Sequence, residues 1–354
     1  MDIEIEQQMA THPSQYNKPG ETTSTPRGAD RSSTDPLTFH SLYKSTLLAI
    51  TDYHCKASRG GPAAEEYAGS HNIVLLRHGV FTKHLGRRRV TADVNQAIYF
   101  SRGLPYRVSH PADCGDRGTV FIVSEPELRN IIREFDPAID AHPEQPFPFA
   151  SGPCSTSAFR RQRELVRLLE SAGVGDLNDG LRIDETALAI VSDVPGAAYK
   201  RLSLPVKSVR STTAADHAER VEAAKQYLAC HIGEPVTLDG LARSVYVSPY
   251  HLSRIFQHHT GVTLHRYLMR LRLRQAFERL ADGERDLTML ALALGFSSHS
   301  HFTGAFRCEF GCAPSAVRRL NAKANRQMSK IMEASSDRSP YCTSARRLPP
   351  LHQT

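Results

Sequence analysis

The chain lacks any run of the roughly 18 consecutive apolar residues that a membrane-spanning helix requires. Its first forty residues are polar and hold no apolar segment of an export signal. A disulfide framework is missing too, because the cysteines at 55, 114, 154, 230, 308, 312 and 342 are odd in number and scattered. That usage fits a reducing compartment, and the cytoplasm is the expected location. Metal signatures are also absent. His71, His78, His84 and His110 do not fall into a tight HxH…E…H arrangement, and His299 and His301 are two apart, on different faces of a helix. Cys308 and Cys312 have i, i+4 spacing on a predicted helix, but no second Cys/His pair stands at zinc-finger spacing. The expectation is therefore no metal, no cofactor and no catalytic residue. No heptad seam stands out in the N-terminal part.

What is present divides the 354 residues into two folded parts with tails. Lysine and arginine number 44 against 37 acidic residues, a formal charge of +7 that permits a polyanionic partner without proving one. Residues 1–38, rich in Ser, Thr, Pro and charge, read as a flexible arm. From Asn72 to Ser124 come short β-type runs, NIVLLRHGVF, QAIYFSR, YRVSH and TVFIVS, separated by turns such as HLGRRR and HPADCGDRG. Ser155 or Ser157 is placed to cap a helix carrying Phe159, Leu165, Leu168 and Leu169, and a weaker helical segment follows near 184–194. Residues 206–215 read as a linker, 216–320 as helix after helix, and 321–354 as a polar tail.

One pattern occurs twice in the last folded part: LDGLARSVYVSPYHLSRIFQHHTG (238–261) and LTMLALALGFSSHSHFTGAFRCEFG (287–311). Each copy pairs an apolar helix with a short turn, a polar cap and a second helix. Leu238, Leu241, Ala242 and Val245 form the first buried stripe, and Ser248 with Pro249 makes a strong helix start. Leu287, Leu290, Ala291 and Leu294 match that stripe, while Gly295 supplies the freedom the turn needs. The outward residues are Tyr250, His251, Ser253, Arg254 and Gln257 in one copy and His299, Ser300, His301, Thr303 and Arg307 in the other, groups suited to base edges and phosphates. Between the copies, TLHRYLMRLRLRQAFERLADG reads as one long helix with Leu264, Leu268, Leu271, Ala276, Phe277 and Leu280 on its apolar side and Arg266, Arg270, Arg272 and Arg274 decorating it. Such a helix would space two reading heads at the roughly 34 Å that separates successive major grooves.

The run from LARSVYVSPYHLSRIFQHHTG through LALALGFSSHSHFTGAFRCEFGCAPSAVRR resembles the DNA-binding domain of the AraC family over about 100 residues, with the specific ending GFSSxSHFxxxF…FGxxPxxxR. By position, the resemblance implies base or backbone contacts from Tyr250, Ser253 and Arg254 and from His299, Ser300 and His301. Gly304 stands where the family often has a longer polar residue such as Arg, and Cys308 where a basic residue is common. The stretch LRHGVFTKHLGRRRVTADVNQAIYFSRGLPYRVSHP resembles the cupin-type sensory domain of such regulators.

The expected fold is thus α+β: a cupin-like β-barrel or sheet domain with helices at 39–205, and an all-α domain with two helix-turn-helix units at 216–320. The expected function is a sequence-specific, DNA-binding transcription regulator, not an enzyme, controlled by a small-molecule effector on the N-terminal domain. Ser248, Tyr250, Ser253, Arg254, His299, Ser300, His301 and Arg307 are its expected DNA-binding residues. Double-stranded DNA, an effector and a second copy of the chain in a homodimer are the expected partners, with RNA polymerase a further candidate. Between 216 and 320 thirteen basic residues face ten acidic ones, so backbone amides at helix N-termini must share the phosphate contacts. The competing reading is a cupin-type metalloenzyme, or a DNA-repair alkyl acceptor using Cys114 or Cys154, fused to a DNA-targeting module.

Overall fold

Alternating apolar residues fold the first part into antiparallel strands. The computed structural model describes residues 37–171, 180–203 and 211–320. Most of the expected arm and all of the expected tail lie outside the described residues, while Leu37 and Thr38, placed in the arm by sequence, open strand β1 (Leu37–Lys44). There follow β2 (Leu48–Cys55), β3 (Glu66–Tyr67), β4 (Asn72–Gly79), β5 (Phe81–Leu85), β6 (Arg88–Ala92), β7 (Gln96–Phe100), β8 (Pro105–Ser109), β9 (Asp116–Val123) and β10 (Ser151–Pro153). They form a six-stranded sheet ordered β1-β2-β9-β4-β7-β10 and a four-stranded sheet ordered β3-β8-β5-β6. Val74, Leu76 and Ile98 from the larger sheet share one core with Phe81, Val90 and Ala92 from the smaller. The sheet region therefore begins about 35 residues before the runs that are obvious in sequence, because β1 and β2 mix polar and apolar positions.

Helices flank the sheets: α1 (Glu125–Arg133), α2 (Thr156–Ser171) and α3 (Gly180–Leu202). The Ser155 hydroxyl caps α2 by accepting from the amide of Ala158 at 3.0 Å, as expected from sequence. The buried Gln162 of α2 donates to the Leu75 carbonyl at 2.8 Å and lies 3.1 Å from the Thr119 hydroxyl, tying the helix to β4 and β9. Helix α3 runs on through Pro195 and presses on β10, where a Cβ on Gly152 would lie 2.6 Å from that of Ala198.

The remainder is helical: α4 (Ser211–Cys230), α5 (Leu238–Ser244), α6 (Pro249–Thr260), α7 (Leu264–Ala281), α8 (Leu287–Ala293), α9 (His299–Phe310) and α10 (Pro314–Leu320). The expected linker at 206–215 lies outside the described residues up to 210, and from Ser211 it is already helix. Contacts divide the chain into two compact units, Met1–Gln275 and Ala276–Thr354, the division falling within α7.

In the first unit, the sheets and the α4–α7 helices meet directly. The amide of Thr91 on β6 donates to Glu222 Oε2 at 2.7 Å, and its hydroxyl to the Glu222 carbonyl at 2.9 Å. The Tyr267 hydroxyl donates to Asp93 Oδ2 at 2.7 Å, and Asn95 Nδ2 to the Tyr267 carbonyl at 3.1 Å. Arg274, fully buried, donates to the carbonyls of Val94 and, at 2.9 Å, of Cys154. Arg272 is also buried and donates to the carbonyls of Ile232 and Glu234, both at 2.8 Å. This corrects the expectation that both arginines decorate the helix surface. Their guanidinium groups make charge-assisted hydrogen bonds to backbone carbonyls rather than to solvent.

The second unit is built on phenylalanine. Phe302, Phe306 and Phe310 repeat every fourth residue of α9 and are buried; Phe306 and Phe310 stand 4.6 Å apart and Phe277 and Phe310 5.0 Å apart. Each such ring contributes roughly 1.5–3 kcal/mol through burial.

Candidate nucleic-acid interface

The two repeats fold into the same turn. After α5, the amide of Tyr246 donates to the Arg243 carbonyl at 3.2 Å and that of Val247 to the Ala242 carbonyl at 3.1 Å. After α8, Gly295 donates to Leu292 at 2.9 Å and Phe296 to Ala291 at 3.0 Å, the same bonds forty-nine residues on. The pivot is left-handed in both, with φ +72° at Gly295 and φ +57° at Tyr246. Glycine adopts that conformation freely, whereas a tyrosine is strained by it.

A serine then starts each second helix. Ser248 Oγ accepts from the amide of His251 at 3.2 Å, with Pro249 at the first helical position, and Ser298 Oγ accepts from the amide of His301 at 3.1 Å. Gly261 and Gly311 end the two helices in the left-handed conformation. Leu252, Ile255 and Phe256 are buried under α6 as Phe302 and Phe306 are under α9. Leu238, expected in the first buried stripe, is 45 % exposed. It is the first residue of α5, and Leu241, Ala242 and Val245 suffice to bury that short helix.

The expected contact residues lie on the outer faces. Tyr250 (77 % exposed), Arg254 and Gln257 are exposed on α6, Ser248 is exposed at its start, and Ser253 and His251 are half-buried. Arg254 makes no ion pair among the described residues, which leaves its guanidinium free for an anion. His251 packs against His217 of α4 with ring centroids 4.9 Å apart, and partial burial followed by that neighbour holds its pKa below the ordinary value. On α9, His299, Ser300, His301 and Arg307 are exposed and Thr303 is half-buried. His301 Nδ1 lies 3.2 Å from the Ser297 hydroxyl and its ring rests edge-on against Phe296, so its direction is set in advance. Gly304 is exposed, with no atom within 4 Å of a Cβ built on it. Cys308 is exposed on α9, whereas Cys312 lies beyond its cap, so the two do not share a helix face.

Between the sheets lies a second feature. Lys83, at the position two after Phe81 on β5, is 3 % exposed; its ammonium donates to the Tyr99 carbonyl at 2.7 Å and sits 3.7 Å from the centre of the Phe100 ring. A cavity of about 160 Å³ opens beside it, lined by Tyr99, Phe100, Tyr106, Phe147 and Phe149, with Arg88 and no acidic side chain. Burial lowers the Lys83 pKa to about 7. A lone lysine in a strand carries no sequence signal of such a place.

The thiols suggested as alkyl acceptors are poorly activated. Burial raises the pKa of both Cys114 and Cys154, and Cys154 is 4 % exposed. A nucleophilic thiol needs the opposite shift.

Comparison with known proteins agrees with the geometry. The family described as "Helix-turn-helix domain" matches residues 241–320. Transcriptional activator RhaS of Salmonella arizonae is 26 % identical over 274 residues, 72 % of this chain and 87 % of that protein. Regulatory protein PocR of Salmonella typhimurium is 30 % identical over 112 residues, 32 % of this chain and 36 % of PocR. Among solved structures, an AraC-type regulator from Chromobacterium violaceum is 30 % identical, covering 30 % of this chain and 94 % of its own, with a TM-score of 0.28. ToxT of Vibrio cholerae is 12 % identical over 78 % of this chain and 99 % of its own, with a TM-score of 0.30. The paired turn-helix units and the sequence matches define a DNA-binding transcription regulator with a sheet-rich N-terminal and a helical C-terminal region. Within that class the C-terminal domain is of the AraC type, homologous to those of RhaS and PocR. No described helix is long and apolar enough to cross a membrane.

Proposed function

We propose that α6 and α9 are the two reading helices, and that Ser248, Tyr250, Ser253, Arg254, His299, Ser300, His301 and Arg307 supply the contacts to double-stranded DNA. The observation that supports this most is the duplication itself. Two turns with the same hydrogen bonds each launch a serine-capped helix whose outer face carries polar and basic side chains open to solvent. The reading helices belong to a region expected at 216–320, and the controlling region to 39–205. Selection of bound sequences from a random DNA pool tests the proposal. The wild type is expected to enrich two boxes about one helical turn apart, with preference in one box lost in Arg254→Ala. An unchanged motif in the variant removes Arg254 from direct readout, and no enrichment removes the proposal.

The control extends this reading. An ammonium held among aromatic rings with no carboxylate partner among the described residues is costly in free energy, and an anion with an apolar body would relieve that cost. The cavity, about 160 Å³, resembles in size a roughly 150 Å³ apolar cavity that holds benzene. We therefore assign it to a small carboxylate effector of about that size, its carboxylate toward Lys83 and Arg88. The reading includes a second copy of the chain and RNA polymerase as partners and a site of action at the DNA, in the bacterial cytoplasm. Sedimentation separates a monomer of 39.3 kDa from its dimer.

A further inference from the structure

Three residues remote in sequence converge inside the sheet region. Cys55 ends β2 and is the direct partner of Asp116 at the start of β9, so both project on the same side of the larger sheet. His110 follows β8 and pairs across an isolated bridge with Gly60. Cys55 Sγ lies 3.5 Å from His110 Nε2, and Asp116 Oδ2 lies 3.0 Å from that same nitrogen. The three ligand atoms all fall within 4.8 Å of one another. Cys55 is 6 % exposed and Asp116 2 %, while His110 is partly open to solvent.

Two buried oxygens at this place lack hydrogen-bond partners: Asp116 Oδ2 and the hydroxyl of Tyr53, two residues before Cys55 on β2. His110 Nε2 faces Asp116 Oδ2 at ion-pair distance, 3.0 Å, and the same carboxylate couples to the Tyr53 hydroxyl. Buried polar atoms rarely lack hydrogen bonds. The loop before β9 is held tightly: Gly115, at φ +61°, passes so close to Cys55 that a Cβ on it would lie 2.4 Å from the Cys55 carbonyl oxygen.

We propose that Cys55, His110 and Asp116 form a zinc site. Zinc bonds of about 2.3 Å to sulfur and about 2.0–2.1 Å to nitrogen and oxygen imply tetrahedral ligand separations of about 3.5 Å for S to N and about 3.3 Å for N to O. The observed 3.5 Å and 3.0 Å stand within a few tenths of an ångström of these values. A thiolate, an imidazole and a carboxylate together favour a borderline-soft divalent cation over magnesium or calcium. The two anionic ligands balance its charge, and binding releases the thiol proton and any proton on the imidazole. Three protein ligands leave a fourth position for water or another ligand. Sequence reasoning missed the set because fold topology, rather than local spacing, assembles it.

The test uses the full chain freed of metal by a chelator and titrated with cobalt(II). One equivalent is expected to give the visible bands of a tetrahedral site together with a thiolate-to-cobalt charge-transfer band, and zinc is expected to displace it. Cys55→Ser is expected to lose the charge-transfer band, while Cys114→Ser, which changes a neighbouring exposed thiol, retains it. Should Cys55→Ser not fold, the near-isosteric Asp116→Asn is expected to weaken cobalt binding tenfold or more. Failure of the wild type to bind one equivalent, or a charge-transfer band that survives in folded Cys55→Ser, overturns the site and leaves the cluster as an ion pair beside a buried thiol. The outcome is independent of DNA selection, since neither result depends on the reading helices.

Discussion

At the scale of single residues, Tyr246 carries the clearest strain. Its φ of +57° repeats the left-handed pivot that Gly295 makes in the other copy, and its side chain is 87 % exposed. A non-glycine residue there costs roughly 1–2 kcal/mol, and little packing offsets the cost. Tyr246→Gly gains the relaxed pivot and loses some unfolded-state restriction. The expected outcome is a net rise in unfolding free energy of about 0.5–1 kcal/mol, read by urea denaturation at equilibrium. A loss of stability would show that the exposed ring makes contacts that outweigh its backbone.

At the scale of elements, the contact between the β6–β7 turn and α7 is pH-sensitive through Asp93. Burial raises its pKa from 3.8 to about 6, against the opposing pull of the Tyr267 and Asn95 hydrogen bonds. Because the folded-state value is above the unfolded one, the folded chain holds the proton more tightly. That contribution to stability is full below about pH 4 and is lost as pH rises through about 6. A shift of this size corresponds to about 3 kcal/mol. In Asp93→Asn the dependence disappears, so the stability difference between variant and wild type should move in the variant's favour by that order from pH 4 to pH 7. Parallel stability curves for the two proteins would show that Asp93 does not titrate in this window.

At the scale of the whole molecule, effector binding and DNA affinity are coupled if the assignment of the Lys83 cavity holds. A benzoate-sized carboxylate is expected to bind the full chain and change its affinity for the selected DNA, and Lys83→Met is expected to abolish both effects. Since the free protein loses the Lys83 proton as pH rises through about 7, carboxylate affinity should fall above that pH, approaching tenfold per unit. Calorimetry at several pH values reads this directly. A neutral amide of the same shape binding equally well would show that Lys83 recognises no anion.

What the sequence alone determined is local and periodic. The two copies of the turn-helix pattern, the capping serines, the glycines that end α6 and α9, and the outward set around Arg254 and His299 follow from spacings within about twelve residues, where one side chain meets its own helix. The strands of 72–124 were legible for the same reason. Tertiary structure decided where long-range partners were needed. Arg272 and Arg274 look like surface residues in a helical run until backbone carbonyls from Ile232, Glu234, Val94 and Cys154 arrive to receive them. Lys83 becomes a buried cation only when β7 closes over it. Cys55, His110 and Asp116 meet because antiparallel register sets the end of β2 beside the start of β9, a relation that no spacing along the chain encodes.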